Sequence, residues 1–151
     1  MQTLNSEKDR QSISERIAQL TPADRRRWGK MSAGEMICHL TDSYRLALEK
    51  TEVSLATGPI RRSVVKWIAL KSPTKWPRGI PTRPEVEQGK GGTPPSEFGQ
   101  DRAGLLAILE RFCAATPTEE CPHPIFGVLT REEWMRWGWL HADHHLRQFG
   151  R

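Results

Sequence analysis

Three helix-start signatures constrain the fold of this chain more than any other feature. In each, a serine or threonine precedes an acidic residue by three positions, a spacing at which the side-chain oxygen can accept a hydrogen bond from the first helical turn. The pairs are Ser6 with Asp9, Ser32 with Glu35, and Thr130 with Glu133. Apolar residues recur at helical spacing after each pair. We therefore predict helices over about residues 7–20, 33–50 and 131–149.

A fourth amphipathic segment lies between the last two signatures and predicts a helix over about residues 100–115. Its apolar side consists of Leu105, Leu106, Ile108, Leu109 and Phe112. A shorter helical stretch is predicted at about 60–70. Another is predicted at about 21–29, where Thr21, Pro22 and Asp24 are typical of an N-cap, a first-turn proline and an acidic third position. β-branched residues never alternate over a useful length, so strand signals are weak. The pattern predicts an all-α fold.

The segment 71–99 differs from the rest because it is dense in proline and glycine and has little periodicity. It predicts a long loop. Neither flank is long enough to fold alone, so we interpret the loop as a crossover or lid inside one domain spanning 1–151. Trp67 lies just before this segment and Trp76 lies near its start. Four long helices and one long connection predict a four-helix bundle, a fold that commonly builds metal sites from inward-facing side chains.

Composition narrows the classes of function. No apolar run approaches the roughly 18 residues of a transmembrane helix, and the N-terminus lacks the basic start of a signal peptide. We therefore expect a cytoplasmic protein with no membrane partner. Three widely spaced cysteines imply neither a disulfide framework nor a thiolate zinc knuckle. The net charge of +5 leaves a nucleic-acid-binding domain as a weaker alternative, since no helix-turn-helix or zinc-finger spacing accompanies it.

Histidines concentrate near the C-terminus. At about 100° per residue, His141, His145 and Gln148 share the stripe of the last helix that also carries Trp134 and Trp137. Imidazoles four residues apart lie one turn above each other and can bind one metal ion. Two histidines hydrogen-bonded beside aromatic core residues would show the same spacing, so the pair alone leaves both interpretations open.

A third ligand can come from His39, which flanks the apolar side of the helix that begins near Ser32. A bundle that places this helix beside the last one would bring His39 to His141 and His145. Three histidines with positions left for water or substrate form a catalytic type of metal site. We therefore predict a three-His site, with the helix pairing left for the structure to decide.

Three neighbours are outer-shell or pocket candidates. Glu35 lies one turn before His39 and can orient it, although capping its own helix with Ser32 is the interpretation we favour. Gln148 can bond to a metal-bound water or close the helix end. Tyr44 can supply a proton or fill the core.

Aromatic and remaining candidate residues carry weaker signals. Trp134 and Trp137 can wall an apolar pocket, and core packing explains them equally well. We expect His123 to pack in a turn, His144 to lie on the helix surface or at a dimer contact, and Cys38 to be buried.

Three segments of the chain resemble the DinB-like family of metalloenzymes. They are RRRWGKMSAGEMICHLTDS at 25–43, HPIFGVLTREEWMRWGWLH at 123–141 and HADHHLRQFG at 141–150. The pattern H-x-x-x-H-x-x-Q in the last segment is similar to the signature of the family's final helix. His39 stands where the family has a histidine in its second helix.

The resemblance implies a four-helix bundle with up-down-down-up topology and a long crossover. It also implies a three-His site for a divalent metal, often zinc or nickel, and frequent homodimers. Because relatives include transferases and isomerases that use low-molecular-weight thiols, it further implies a metal-bound thiol that attacks a small electrophile.

This chain lacks the residues that some classes of metal enzyme require. The histidine pair belongs to H-A-D-H-H and not to H-E-x-x-H, so no carboxylate stands where a zincin has its general base, and Asp143 points away. The two Glu-x-x-His motifs of a di-iron centre are also absent. The resemblance therefore makes a thiol S-transferase or hydrolase the leading hypothesis. A metal-binding bundle without catalysis, such as a sensor, is the alternative.

Overall fold

A computed structural model describes most of the chain, in five stretches: residues 1–48, 59–72, 75–79, 84–115 and 122–151. Five α-helices lie in these stretches: α1 (Glu7–Ala18), α2 (Ala33–Leu48), α3 (Pro59–Lys71), α4 (Phe98–Ala114) and α5 (Arg131–Gln148). A 3₁₀ turn spans Pro84–Val86, and no strand occurs in the described stretches. The all-α prediction is confirmed for this part of the chain.

Side-chain caps begin the helices where the sequence predicts them. The Ser6 hydroxyl accepts a hydrogen bond from the Asp9 backbone N–H at 3.3 Å and starts α1. Thr130 and Glu133 form a reciprocal capping box at the start of α5. Each cap satisfies backbone donors that have no partner inside the helix.

The predicted helical turn at 21–29 is wrong. The Thr21 N–H donates to the Asp24 carboxylate at 2.9 Å, and this carboxylate also accepts from the Arg151 guanidinium at 2.7 Å. Asp24 therefore closes a turn and ties it to the C-terminus. Gly29 then adopts a φ of +85°, in the left-handed region that favours glycine.

Smaller differences concern helix ends. Helix α1 ends at Ala18, two residues before the predicted end, and α4 begins at Phe98 because the Glu97 carboxylate accepts from the first backbone N–H groups of that helix. Three parts of the predictions lie outside the described residues. They are the end of the second helix at 49–50, two pieces of the 71–99 loop (73–74 and 80–83), and Cys121.

Helix contacts define one core. Helices α1 and α2 each contact both α4 and α5, and α3 contacts α5. At the centre, the fully buried Tyr44 donates its hydroxyl to the Gly138 carbonyl at 2.9 Å and so joins α2 to α5. The up-down-down-up topology stays a prediction. None of the described helices is both long and apolar enough to cross a lipid bilayer.

Candidate metal centre

The contact between α2 and α5 brings three histidines together. His39 lies near the middle of α2, and His141 and His145 lie one turn apart on α5. The His141 Nε2 atom is 3.2 Å from the His39 Nε2 atom and 3.1 Å from the His145 Nε2 atom. The three rings therefore converge through the same ring nitrogen.

The spacing of these nitrogens fits a divalent metal. With metal–nitrogen bonds of about 2.05 Å, two imidazole nitrogens are about 3.3 Å apart at a tetrahedral angle and about 2.9 Å apart at a right angle. The two measured separations, 3.1 and 3.2 Å, lie between these values. All three candidate ligand atoms lie within 4.8 Å of one another. The donor set therefore fits a small cation that prefers imidazole.

Hydrogen bonds at the far side of two rings set their tautomers. His39 Nδ1 lies 3.0 Å from the Val86 carbonyl oxygen, which can only accept, so Nδ1 carries the proton. His145 Nδ1 lies 2.9 Å from Gln148 Oε1 and donates to it in the same way. In the neutral ring each Nε2 then presents a lone pair to the cluster, the arrangement that outer hydrogen bonds give to metal-binding histidines.

His141 differs from the other two histidines. Its Nδ1 atom is buried and has no hydrogen-bond partner within the described stretches. Because its Nε2 atom lies within reach of two lone pairs, a proton on that atom can be shared between the His39 and His145 nitrogens when no cation is bound. Metal binding would move this proton to the unpartnered Nδ1.

Burial keeps the three imidazoles neutral. It lowers the pKa of His39, although the hydrogen bond to Val86 opposes the shift. It lowers the pKa of His141 and of His145 well below the usual value, and the neighbouring imidazoles act in the same direction. The neutral form is the one that binds metals.

Two hydrogen bonds from Thr93 to Asp42, here called the latch, attach the long loop to α2. The same loop carries the Val86 carbonyl that accepts from His39. Asp42, one turn after His39, accepts from the Thr93 backbone N–H at 2.7 Å and from the Thr93 hydroxyl at 2.8 Å. Val86 and Thr93 belong to the same described stretch of the loop. The loop therefore touches α2 at two points, and one of them orients a candidate ligand.

The three-His cluster opens into a large cavity of about 830 Å³. The His141 ring lies between two tryptophan rings, with the Trp137 centroid at 5.0 Å and the Trp76 centroid at 6.2 Å. Trp76 is held by a hydrogen bond from its indole N–H to the Ala69 carbonyl at 2.9 Å. The cavity is thus far larger than a metal-bound water requires, and its inner wall is aromatic.

The chain that carries this site matches a known protein family. A family model described as the DinB superfamily matches residues 6–149, nearly the whole chain. The chain belongs to the DinB superfamily. A search of curated proteins and a search of solved structures returned no match.

The structure places the other predicted site residues of this DinB-superfamily chain in different surroundings. Glu35 lines the cavity, but its carboxylate accepts from the Ser32 backbone N–H at 2.6 Å and so caps α2. Tyr44 lies in the core, where burial raises the pKa of its hydroxyl, and it does not reach the cavity wall. Trp134 and Trp137 both line the cavity.

The surroundings of His144 in this superfamily member differ from the predicted ones. The prediction was a position on the helix surface or at a dimer contact, but His144 is buried at 7% exposure and lines the cavity beside Trp28 and Trp76. The segment that carries Trp76 covers this side of α5, and periodicity within α5 alone cannot reveal it. His123 is buried in a turn and Cys38 is buried in α2, as expected.

Sequence reasoning missed Val86, Asp42 and Thr93. Helical periodicity carries no information about a loop, and the Val86 carbonyl belongs to the backbone, which any residue would supply. Asp42 gave one usable signal, because an acidic residue one turn from a candidate histidine ligand commonly belongs to its hydrogen-bond network.

Proposed function

We propose that this chain is an enzyme that depends on a divalent metal, held by His39, His141 and His145. The observation that carries the proposal is the convergence of three histidines, with two Nε2–Nε2 separations that match imidazoles sharing one metal ion. Zinc or nickel are the metals proposed, because neutral imidazoles bind both readily.

We further propose that the reaction is the transfer of a low-molecular-weight thiol to a small electrophile, or hydrolysis of such an electrophile. A metal bound to three histidines would supply Lewis-acid chemistry and lower the pKa of a bound thiol or water. The chain's own contribution is to keep the imidazoles neutral, to orient two of them through Val86 and Gln148, and to surround the site with aromatic walls.

The large cavity favours an enzyme over a purely structural metal site. Closed structural sites surround the ion with four protein ligands, whereas here three histidines face a space of about 830 Å³. A metal-binding bundle without catalysis, such as a sensor or binding module, is the second candidate, and it predicts no open coordination position on the metal. Cobalt-substituted protein separates the two, because thiols should change its visible spectrum only if a coordination position is open.

Metal content tests the first step of the proposal. Protein purified without chelators should contain about one zinc or nickel per chain by elemental analysis. His145→Ala should lose most of this metal, because two remaining imidazoles rarely suffice for tight binding. His144→Ala is the matched control, since His144 is also buried beside the cavity but lies outside the cluster. Full retention of metal by His145→Ala would reject the site.

Location and assembly remain part of the proposal. We propose a cytoplasmic homodimer with a small-molecule substrate, which size-exclusion chromatography with light scattering tests for the assembly state. Nucleic-acid binding is the weakest candidate, and duplex affinity that falls steeply with salt would favour it.

A further inference from the structure

The opening of the cavity carries an excess of positive charge. Lys30, Lys75 and Arg78 all line the cavity and are exposed, so they lie where it meets solvent. None of the three forms an ion pair within the described part of the chain. Their charges are therefore available to a ligand that enters.

The carboxylates on the cavity wall are already engaged. Glu35 accepts the Ser32 backbone N–H at 2.6 Å, and Glu87 forms an ion pair with Lys90 at 2.8 Å. No other acidic side chain lines the cavity within the described residues. With Glu87 paired to Lys90, the three cations outnumber the one remaining carboxylate on the described wall, that of Glu35. The net charge is therefore positive, which attracts anions and raises their local concentration.

One of the three cations is held in place by an aromatic ring. The Arg78 guanidinium carbon lies 4.3 Å from the Trp28 ring centroid, a cation–π contact. Stacking on the face of an indole leaves the N–H edges of a guanidinium free, and these edges match a carboxylate or phosphate group. Trp28 in turn contacts His144 edge-on at 6.3 Å, next to the three-His cluster.

The interior beyond the opening suits an apolar body. Trp76, Trp137 and Phe126 line it together with aliphatic side chains. A volume of about 830 Å³ lies within the roughly 300–1,000 Å³ range of pockets that hold drug-sized ligands.

We propose that the cavity binds an organic anion. Its bulky apolar or aromatic body lies against the tryptophan rings, and its carboxylate or phosphate group lies at the opening formed by Lys30, Lys75 and Arg78. The inference rests on the proposed function, of which it names the substrate class.

Two matched probes test the inference. Full-length protein treated with EDTA is titrated calorimetrically with 2-naphthoate and with its uncharged isostere 2-naphthamide. Because an exposed ion pair contributes up to about 1 kcal/mol, or roughly fivefold in affinity, naphthoate should bind about fivefold more tightly. A third titration with 2-naphthyl phosphate shows which anionic group the opening prefers.

Variants that lack cations at the opening test where the preference for naphthoate over naphthamide arises. The double variant Lys75→Gln/Arg78→Gln leaves only Lys30 of the three cations at the opening, so it should remove most of the advantage of naphthoate and leave the affinity for naphthamide within about twofold. Arg26→Gln is the control, because Arg26 is an exposed cation that does not line this cavity. Equal affinity for the two probes, no binding of either, or an equal loss in Arg26→Gln would overturn the inference.

The metal-free condition separates this inference from the proposed function. A carboxylate could otherwise bind a metal directly, and its preference would then report the metal and not the opening. Absence of metal in the purified protein would reject the metal enzyme, while the naphthoate preference of EDTA-treated protein would stand or fall by itself.

Discussion

Replacing His123 with asparagine should remove part of the protein's sensitivity to acid. His123 is buried, stacks on Phe126 with ring centroids 4.5 Å apart, and packs against Trp137 at 5.0 Å. Its Nδ1 atom accepts the backbone N–H groups of Ile125 and Phe126 at 3.1 and 3.2 Å. Adding a proton to the ring would place a charge among aromatic rings and break both hydrogen bonds.

The size of the stability loss on acidification follows from the shift in the pKa of His123. Burial lowers the pKa of His123 from 6.5 to about 3. Between these values the unfolded chain binds the proton and the folded chain does not, so stability falls as the pH drops below 6.5. At about 1.36 kcal/mol per pH unit, the loss is roughly 1–2 kcal/mol at pH 5.5 and approaches about 5 kcal/mol near pH 3.

Asparagine at this position keeps an acceptor oxygen near the place of Nδ1 but cannot be charged. Urea unfolding of EDTA-treated wild type and His123→Asn at pH 7.5 and 5.5 measures the difference. The variant starts at a lower free energy of unfolding because it loses ring packing, and it should then lose roughly 1–2 kcal/mol less on acidification. His39, His144 and His145 are common to both proteins, whereas His123 also helps to lower the pKa of His141, so the measured difference includes a smaller contribution through that neighbour. Parallel losses in the two proteins would refute the assigned protonation state.

Two further substitutions test the latch and the core. Thr93→Val removes the hydroxyl that donates to Asp42 at 2.8 Å. The looser loop should weaken metal binding about tenfold in competition titrations, whereas Thr93→Ser, which keeps a hydroxyl, should bind metal like the wild type. Equal affinities of the valine variant and the wild type would show that the latch does not orient the site. Gly138→Ala places a methyl carbon 2.7 Å from a side-chain carbon of Leu4 and should lower the free energy of unfolding by about 1–3 kcal/mol. Gly104→Ala has open space on an exposed face of α4 and should raise it by up to about 1 kcal/mol, so a similar gain in both variants would contradict the packing argument.

Local signals predicted most of the helices. The boundaries that depended on a side-chain cap, at Ser6 and Thr130, were predicted correctly, because a cap involves atoms only a few residues apart. The predicted helix after Thr21 failed because Asp24 binds Arg151, a contact across 127 residues that a local pattern cannot include.

The candidate site was predictable in its residues but not in its surroundings. Helical periodicity placed His141, His145 and Gln148 on one stripe and His39 beside the apolar side of its own helix, and the family resemblance supported His39 as the third ligand. The Val86 carbonyl, which faces His39 from 47 residues away, had no signal. The burial of His144 also had none, since the residues that cover it come from other parts of the chain.

By itself, the sequence determined where α1, α2 and α5 begin, which face of each is apolar, and which side chains have the chemistry to bind a metal. These properties depend on neighbours within a few positions, where helix geometry sets the distances. Only the tertiary structure decided that α2 lies against α5, that a loop carbonyl orients one imidazole, and that three cations meet at the cavity opening. These arrangements depend on the packing of the whole core, which sums many weak contacts between residues far apart in the chain.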